Sequence, residues 1–238
     1  MSELEEALVQ GCAHLNLPLS DSVLSDFRRY YDFLTERNRI MDLTAIAGEK
    51  DTAELHFLDS LSIAGLFDLN SKRVIDIGSG AGFPGLPLQL AVPSMKLTLL
   101  DSQEKRVQFL TELCGLLDLH GVDIIHMRAE DAAKNRALRE QFDAALSRAV
   151  AELNVLCELC LPFVAPGGAF IAMKSVKSDG EITEAATAIK LLGGALESTR
   201  DYNIPGTDIW HRFVFIRKVN PTPDIYPRRF AKIQKSPL

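Results

Sequence analysis

The chain has 238 residues, of which 47% are hydrophobic and 24% charged, a composition typical of a folded globular protein rather than a disordered one. No apolar run approaches the roughly 18 residues that span a bilayer, and the N-terminus lacks the basic start and apolar core of a signal peptide, so we expect a cytoplasmic protein. The formal net charge is −6, but it is unevenly distributed.

The first part of the chain has the hydrophobic spacing of helices. Apolar residues recur three or four positions apart over 4–15 and again over 24–34. A third helix is indicated by the leucines of 55–61, and Asp51 and Glu54 form a capping pattern ahead of them. We expect residues 1–70 to form an N-terminal helical extension packed on the core.

From residue 73 strand-like and helical patterns alternate, which predicts an α/β fold with a mostly parallel, doubly wound sheet. We expect this domain to span residues 71–220, with its last two strands joined by a turn at Pro205 and Gly206. The predicted strands are 73–77, 96–100, 122–127, 142–147, 168–174, 196–203 and 212–218, and the predicted helices lie near 85–91, 103–118, 131–139, 152–163 and 180–193.

A glycine-rich turn follows the first predicted strand and indicates a nucleotide-cofactor site. Asp76, Gly78, Gly80 and Gly82 alternate with other residues directly after a β-branched run. A second frame, Gly80-x-Gly82-x-x-Gly85, also satisfies the dinucleotide-binding pattern, which leaves NAD as an alternative. Only the first frame abuts the strand, and it is similar to motif I of methyltransferases that use S-adenosylmethionine.

Asp101 ends the second predicted strand of the sheet, where a carboxylate can accept hydrogen bonds from both hydroxyls of a ribose. NAD sites share this feature, so it does not discriminate between the two cofactors. An alternative role is to cap the helix that follows, because Asp101, Ser102 and Glu104 precede a helical pattern.

Two local features have simple interpretations. Cys157 and Cys160 form a C-x-x-C pair, but they lie in an apolar helical pattern without further ligands nearby, so we expect no metal. From residue 212 to the end there are seven basic residues and one acidic residue. This segment, which includes the predicted basic C-terminal tail at 221–238, is therefore either a polyanion contact or a solvated terminus.

Taken together, several segments of the chain resemble the bacterial glucose-inhibited division protein B family, also called RsmG. The resemblance implies the seven-stranded Rossmann-like class I methyltransferase fold, S-adenosylmethionine as cofactor, and methylation of N7 of a guanosine in 16S rRNA of the small ribosomal subunit. One departure is Asp42, where the family usually has Asn. The segments are 38–46, 56–61, 76–85, 100–102 with 105–110, 147–149, Lys174 and the basic tail from Tyr226.

The resemblance also implies which residues form the site. Arg148 and Lys174 are the predicted catalytic residues, Arg148 contacting cofactor, guanine O6 or phosphate, and Lys174 contacting RNA. His56 is expected to be structural or to position the substrate. The candidate phosphate contacts are Arg28, Arg29, Arg37, Arg39, Arg106 and the tail. For most of these arginines, a solvated helix face is the better interpretation of the single residue. The predicted cofactor-binding residues are Asp76, Gly78, Gly80, Gly82, Phe83, Asp101, Ser102, Ala129, Glu130 and Arg148.

Guanine N7 presents an in-plane lone pair and carries no proton, so the implied reaction needs no general base. We expect alignment and water exclusion to provide most of the catalysis. Three other functions stay open: a small-molecule methyltransferase, an NAD-binding oxidoreductase, and a ribosome-binding module without activity.

Overall fold

The computed structural model describes residues 1–148 and 151–238, and its centre is a seven-stranded sheet. Its strands are β1 Arg73–Ile77, β2 Lys96–Asp101, β3 Asp123–His126, β4 Phe142–Arg148, β5 Val164–Ser175, β6 Gly194–Asn203 and β7 Trp210–Lys218. All seven predicted strands are confirmed, and each end lies within four residues of its expected position. The strand order is β3-β2-β1-β4-β5-β7-β6; β1 to β5 are parallel, and β7 is antiparallel to both β5 and β6.

Helices cover both faces of the sheet. Ser2 and Ser20 cap the first two with their side chains, and Asp42 ends the second in the left-handed conformation, which Asn and Asp tolerate best. The helices are α1 Glu3–His14, α2 Asp21–Met41, α3 Glu49–Thr52, α4 Asp59–Leu61, α5 Gly85–Ala91, α6 Glu104–Leu116, α7 Ala129–Ala132, α8 Leu153–Cys160, α9 Asp179–Glu184, α10 Ala186–Leu191 and α11 Phe230–Lys235, with a π-helical segment at Ala53–Leu58 and a 3-10 turn at Leu161–Phe163.

Three helix predictions are wrong in detail. The capping pattern at Asp51 is not used, because α3 begins at Glu49 and its N-cap is Gly48. The helix expected over 131–139 is short: α7 begins at Ala129 and stops at Ala132. Arg139 lies beyond it and bonds backbone carbonyls of the tail. The helix expected over 180–193 is interrupted at Ala185.

The sheet separates two hydrophobic cores. On one face α1, α2 and the π-helical segment pack through residues such as Leu8, Phe27 and Phe57, all fully buried. On the other face α8 and α10 pack with Ile233 of the C-terminal helix α11. Both ends of the chain are therefore integrated into the fold. Within the described residues no helix is long and apolar enough to cross a membrane, and no cluster of three or more His, Cys, Asp or Glu side chains is arranged to hold a metal.

Much of the positive charge near the C-terminus is neutralised inside the fold. Lys218 is fully buried against Glu140, and Arg228 makes a bidentate pair with Glu158, whose side chain is 1% exposed. Arg212 and Arg217 also pair with carboxylates. Among the described residues, the remaining basic side chains of this stretch have no carboxylate partner, and these are Arg229, Lys232 and Lys235.

The Arg228 and Glu158 pair gives a test of the anchored tail. Arg228→Ala should lower the free energy of unfolding by about 3 to 5 kcal/mol, because Glu158 stays buried without its partner. Urea denaturation measures the change. The matched control is Arg229→Ala, an exposed neighbour, for which we expect a change within about 0.5 kcal/mol. Equal effects of the two substitutions would contradict the anchoring role.

Candidate active site

A cavity of about 470 Å³ opens at the carboxyl ends of the parallel strands, around β1 and β2. This edge is where open α/β sheets bind their ligands, because the loops that leave neighbouring strands diverge there. Eight residues predicted for the site line the cavity: Gly78, Gly80, Phe83, Asp101, Ser102, Ala129, Glu130 and Arg148.

The glycine turn after β1 is fastened to the end of β2. The Gly78 amide donates to the Leu100 carbonyl at 2.8 Å, and the Gly80 amide donates to Asp101 Oδ2 at 2.9 Å. Gly80 has φ +58°, and a Cβ there would meet nothing closer than 3.9 Å, so the space beside it is open. Gly82 has φ +100°, and a Cβ there would lie 2.6 Å from the Tyr30 hydroxyl. Gly82 therefore allows α2 to pack closely and is not part of the cavity lining.

Asp76 lies beneath the cavity and is not among its lining residues. Its side chain is fully buried, Oδ2 accepts the Gly85 amide hydrogen at 2.9 Å, and Oδ1 has no partner among the described residues. Burial raises the pKa of this carboxyl to about 7. Asp76 therefore holds the first residue of α5 against the glycine turn.

Asp101 is 3% exposed and joins three parts of the site. Besides accepting from Gly80, it accepts the Gln103 amide hydrogen through Oδ1 at 2.9 Å, and Arg106 lies 3.7 Å from Oδ2. The N-cap of α6 is Gln103, so the alternative that Asp101 caps this helix is wrong. Each carboxylate oxygen has a further lone pair with which to accept a ligand hydroxyl.

Arg148 ends β4 and is held from several sides. Its guanidinium lies over the Phe83 ring, 4.9 Å from the centroid. Nη1 donates to the Leu55 carbonyl at 3.1 Å and to Asp59 Oδ2 at 3.0 Å, and Nη2 donates to His56 Nδ1 at 2.9 Å. The family segment that contains Arg148 continues into residue 149, which lies outside the described residues.

Asp59 organises the wall behind Arg148. Oδ1 accepts from the Tyr202 hydroxyl at 2.6 Å and from His211 Nδ1 at 2.9 Å, and the side chain is 1% exposed. Burial opposes ionisation, but the hydrogen bond from His211 and the charge of Arg148 outweigh it and hold the pKa of this carboxyl below its ordinary value. Asp59 is therefore the counter-ion of Arg148.

His56 stacks on Phe83 with ring centroids 4.3 Å apart. Its Nε2 is 2.7 Å from the Thr44 hydroxyl, while Nδ1 accepts from Arg148. Burial and the neighbouring guanidinium lower the pKa of His56 to about 3, so the ring is neutral at pH 7. Both nitrogens are occupied, which leaves His56 unavailable as a base.

The second predicted catalytic residue, Lys174, does not line the cavity. Its Nζ donates to the Ala151 carbonyl at 2.9 Å and pairs with Glu181 Oε2 at 2.5 Å, and its side chain is 10% exposed. The structure therefore brings Arg148, but not Lys174, together with the predicted cofactor residues.

Several residues at the site are missing from the sequence-based set. Tyr202 and His211 reach Asp59 from 143 and 152 positions away, and no local pattern signals such a contact. Phe230 of the tail lines the cavity with Arg128, whose guanidinium lies 5.6 Å from its ring centroid. The run of basic residues drew attention to the tail, but it gave no sign that an aromatic residue there closes the cavity.

The raised pKa of Asp76 gives a prediction for stability. The Asp76 carboxyl has a pKa near 3.8 in the unfolded chain and near 7 in the folded protein. Between these two pH values the folded state holds a proton that the unfolded state has lost, so the free energy of unfolding falls as the pH rises. The advantage of Asp76→Asn over the native protein should grow by about 2 to 3 kcal/mol from pH 5 to pH 8. Urea denaturation of both proteins at each pH measures this difference in the free energy of unfolding. The titration of His56 contributes equally to both proteins, so it cancels in the difference. A difference independent of pH would contradict the prediction.

Comparison with known sequences identifies relatives along the whole chain. The sequence profile of the GidB family, described as rRNA small subunit methyltransferase G, matches residues 23–206. A ribosomal RNA small subunit methyltransferase G of Alkaliphilus oremlandii is 45% identical over 237 residues, covering 99% of each chain. The protein of the same name from Pelotomaculum thermopropionicum is 42% identical over 239 residues, covering 100% of each.

Solved structures support the fold. TYW2 of M. jannaschii, crystallised with AdoMet, is similar with a TM-score of 0.53 and 16% identity over 68% of this chain and 75% of that one. A SAM-dependent methyltransferase from Aquifex aeolicus is similar with a TM-score of 0.53 and 18% identity, and the match covers 71% of this chain and 94% of that one. The sheet is thus that of the class I methyltransferases. On its sequence, the chain belongs to the GidB family of rRNA small subunit methyltransferase G proteins.

Proposed function

We propose that this protein transfers the methyl group of S-adenosylmethionine to N7 of a guanosine in 16S rRNA of the small ribosomal subunit. The observation that carries the proposal is the cavity itself, in which the glycine turn, Asp101 and Glu130 meet beside Arg148. Membership of the rRNA small subunit methyltransferase G family supports RNA, rather than a small molecule, as the substrate. The same family membership favours methyl transfer over an NAD-dependent reaction or a module without activity.

The residues present fit this cofactor. S-adenosylmethionine carries hydrogen-bond donors on its ammonium, its ribose and its adenine amine, and the cavity offers the carboxylates of Asp101 and Glu130 as acceptors. Glu130 is 6% exposed, and its carboxylate has no hydrogen-bond partner among the described residues. The open space beside Gly80 gives room for a ligand close to the backbone. When bound, the cofactor supplies an activated methyl group on a sulfonium.

The protein's task is then to align the guanine and exclude water. N7 needs no deprotonation, and the polar groups beside the cavity are not free to act as a base. His56 is neutral, and both of its nitrogens are hydrogen-bonded. Asp59 is bonded to Arg148, Tyr202 and His211. Fixed side chains that do not reorganise during the reaction favour a near-attack geometry.

Arg148 serves as a positioning group in this scheme. Three intramolecular hydrogen bonds fix its guanidinium and leave the Nε hydrogen and one Nη2 hydrogen for a ligand. Guanine O6, a phosphate or the cofactor carboxylate are suitable acceptors. N7 is not, because a donor on N7 would occupy the lone pair that accepts the methyl group. A role for Lys174 in contacting RNA requires it to leave Glu181.

The ion pairs reduce the set of candidate phosphate contacts. Arg28 pairs with Glu49, Arg29 with Asp26, and Arg37 with Glu112, so these arginines have structural roles. Arg39 has no carboxylate partner among the described residues. Together with Arg128 at the cavity, and the exposed lysines and arginine of the tail, it remains a candidate for binding rRNA phosphates. Arg106 also lines the cavity, but it pairs with Asp101 at 3.7 Å.

The test is methyl transfer from labelled S-adenosylmethionine to 30S subunits and to naked 16S rRNA, both taken from cells that lack the modification. We expect labelled N7-methylguanosine at a single position after nuclease digestion and mass spectrometry, on at least one of the two substrates. Labelled methyl groups on another atom would contradict the N7 assignment. If neither RNA were labelled while calorimetry still showed that the protein binds the cofactor, the proposal that rRNA is the substrate would be contradicted.

A further inference from the structure

An exposed aromatic side chain lies at the same edge of the sheet as the cavity. Trp210 begins β7 and is 54% exposed, and Ile209 before it is 43% exposed. Because β7 runs antiparallel to β5, its first residues stand beside the carboxyl end of β5, with His211 opposite Ser175. Trp210 is therefore at the ligand-binding edge of the sheet, where a large apolar side chain has no part in the core.

Hydrogen bonds connect His211, the residue after Trp210, to a side chain that lines the cavity. His211 donates from Nδ1 to Asp59 at 2.9 Å, and Asp59 accepts at 3.0 Å from Arg148, which lines the cavity. Residues at the ends of β1 to β4 line the cavity, so the part of this edge at β5 and the start of β7 lies outside it. Side chains alternate along a strand, so Trp210 lies on the side of β7 opposite to His211, the side shared with Arg212 and Lys174.

Hydrogen bonds and close packing hold the turn of the hairpin that carries Trp210. Ile204 donates to the Ile209 carbonyl at 2.9 Å, and Asn203, which pairs with Trp210, donates its side-chain amide to the carbonyls of Thr207 and Ile209. The turn is packed so closely that a Cβ on Gly206 would lie 2.6 Å from Glu54 Oε1. A hairpin backbone that is already ordered loses little further conformational entropy when its side chains contact a partner.

We infer that Trp210 is a stacking platform for an unpaired nucleobase of the rRNA near the target guanosine. This inference rests on the proposed function. Sequence-specific RNA binding uses bases splayed out of the helix and stacked on aromatic side chains, and single-stranded segments are bound in the same way. The exposed Lys177, in the loop directly after β5, provides a cation for the adjoining phosphate.

The chain contains one tryptophan, so its fluorescence reports on this side chain alone. A short unpaired RNA that includes the target guanosine, added to the full-length protein with S-adenosylhomocysteine, should quench most of the emission, with a midpoint equal to that of binding measured by anisotropy of labelled RNA. Bound RNA without quenching would overturn the inference. So would quenching by intact 30S subunits but not by a bound rRNA fragment, which would indicate a ribosomal protein as the partner.

Kinetics on 30S subunits provide a second test. Trp210→Ala should raise KM for the RNA substrate roughly 5- to 100-fold, whereas Trp210→Phe should restore most of the affinity because it keeps an aromatic ring. Leu196→Ala is the matched control, since Leu196 is a 46% exposed apolar residue at the far end of the same hairpin. An unchanged KM for Trp210→Ala would overturn the inference. If the native protein binds RNA with quenching but transfers no methyl group, the stacking surface stands and the proposed activity fails.

Discussion

The arrangement of the site depends on one buried carboxylate. Asp59 lies just after the π-helical segment, yet its two oxygens bond groups from β4, β6 and β7: Arg148, Tyr202 and His211. A buried charge is stable only when it is paired and hydrogen-bonded, so these contacts must form together. Through them the N-terminal helices are fixed on the sheet, and Arg148 is fixed at the mouth of the cavity.

This constraint makes the N-terminal helices part of the site. Thr44, His56 and Leu43 line the cavity from that side, and Phe83 of the glycine turn is stacked between His56 and Tyr30. On the opposite face the tail contributes Phe230. The cavity is therefore closed by segments from both ends of the chain, whereas the central sheet supplies the glycine turn and Asp101. Fixed polar groups of this kind suit a reaction in which alignment, rather than proton transfer, lowers the barrier.

The sequence was sufficient to predict the sheet, because its strands are short apolar runs and its helices have a clear period of 3.6 residues. It also assigned Gly78, Gly80 and Asp101 to one cofactor site, and they lie together because the ends of the adjacent parallel strands β1 and β2 are side by side. It could not predict that Asp101 would accept from the Gln103 amide instead of capping α6, because Gln103 is the N-cap of that helix. It also could not predict that α3 would begin at Glu49, since Glu49 is bonded to Leu4 and Arg28, which are distant in the sequence. Contacts such as Asp59 with His211 depend on tertiary packing alone.

We propose that Asp59 holds Arg148 where it aligns the substrate. The most direct measurement is the single-turnover rate of methyl transfer to 30S subunits by Asp59→Asn, with cofactor affinity measured by calorimetry on the same protein. A small displacement of a positioning group costs about 100-fold in rate, so we expect a loss of that order with S-adenosylmethionine still bound. A folded Asp59→Asn protein that transfers the methyl group at the native rate would contradict the account.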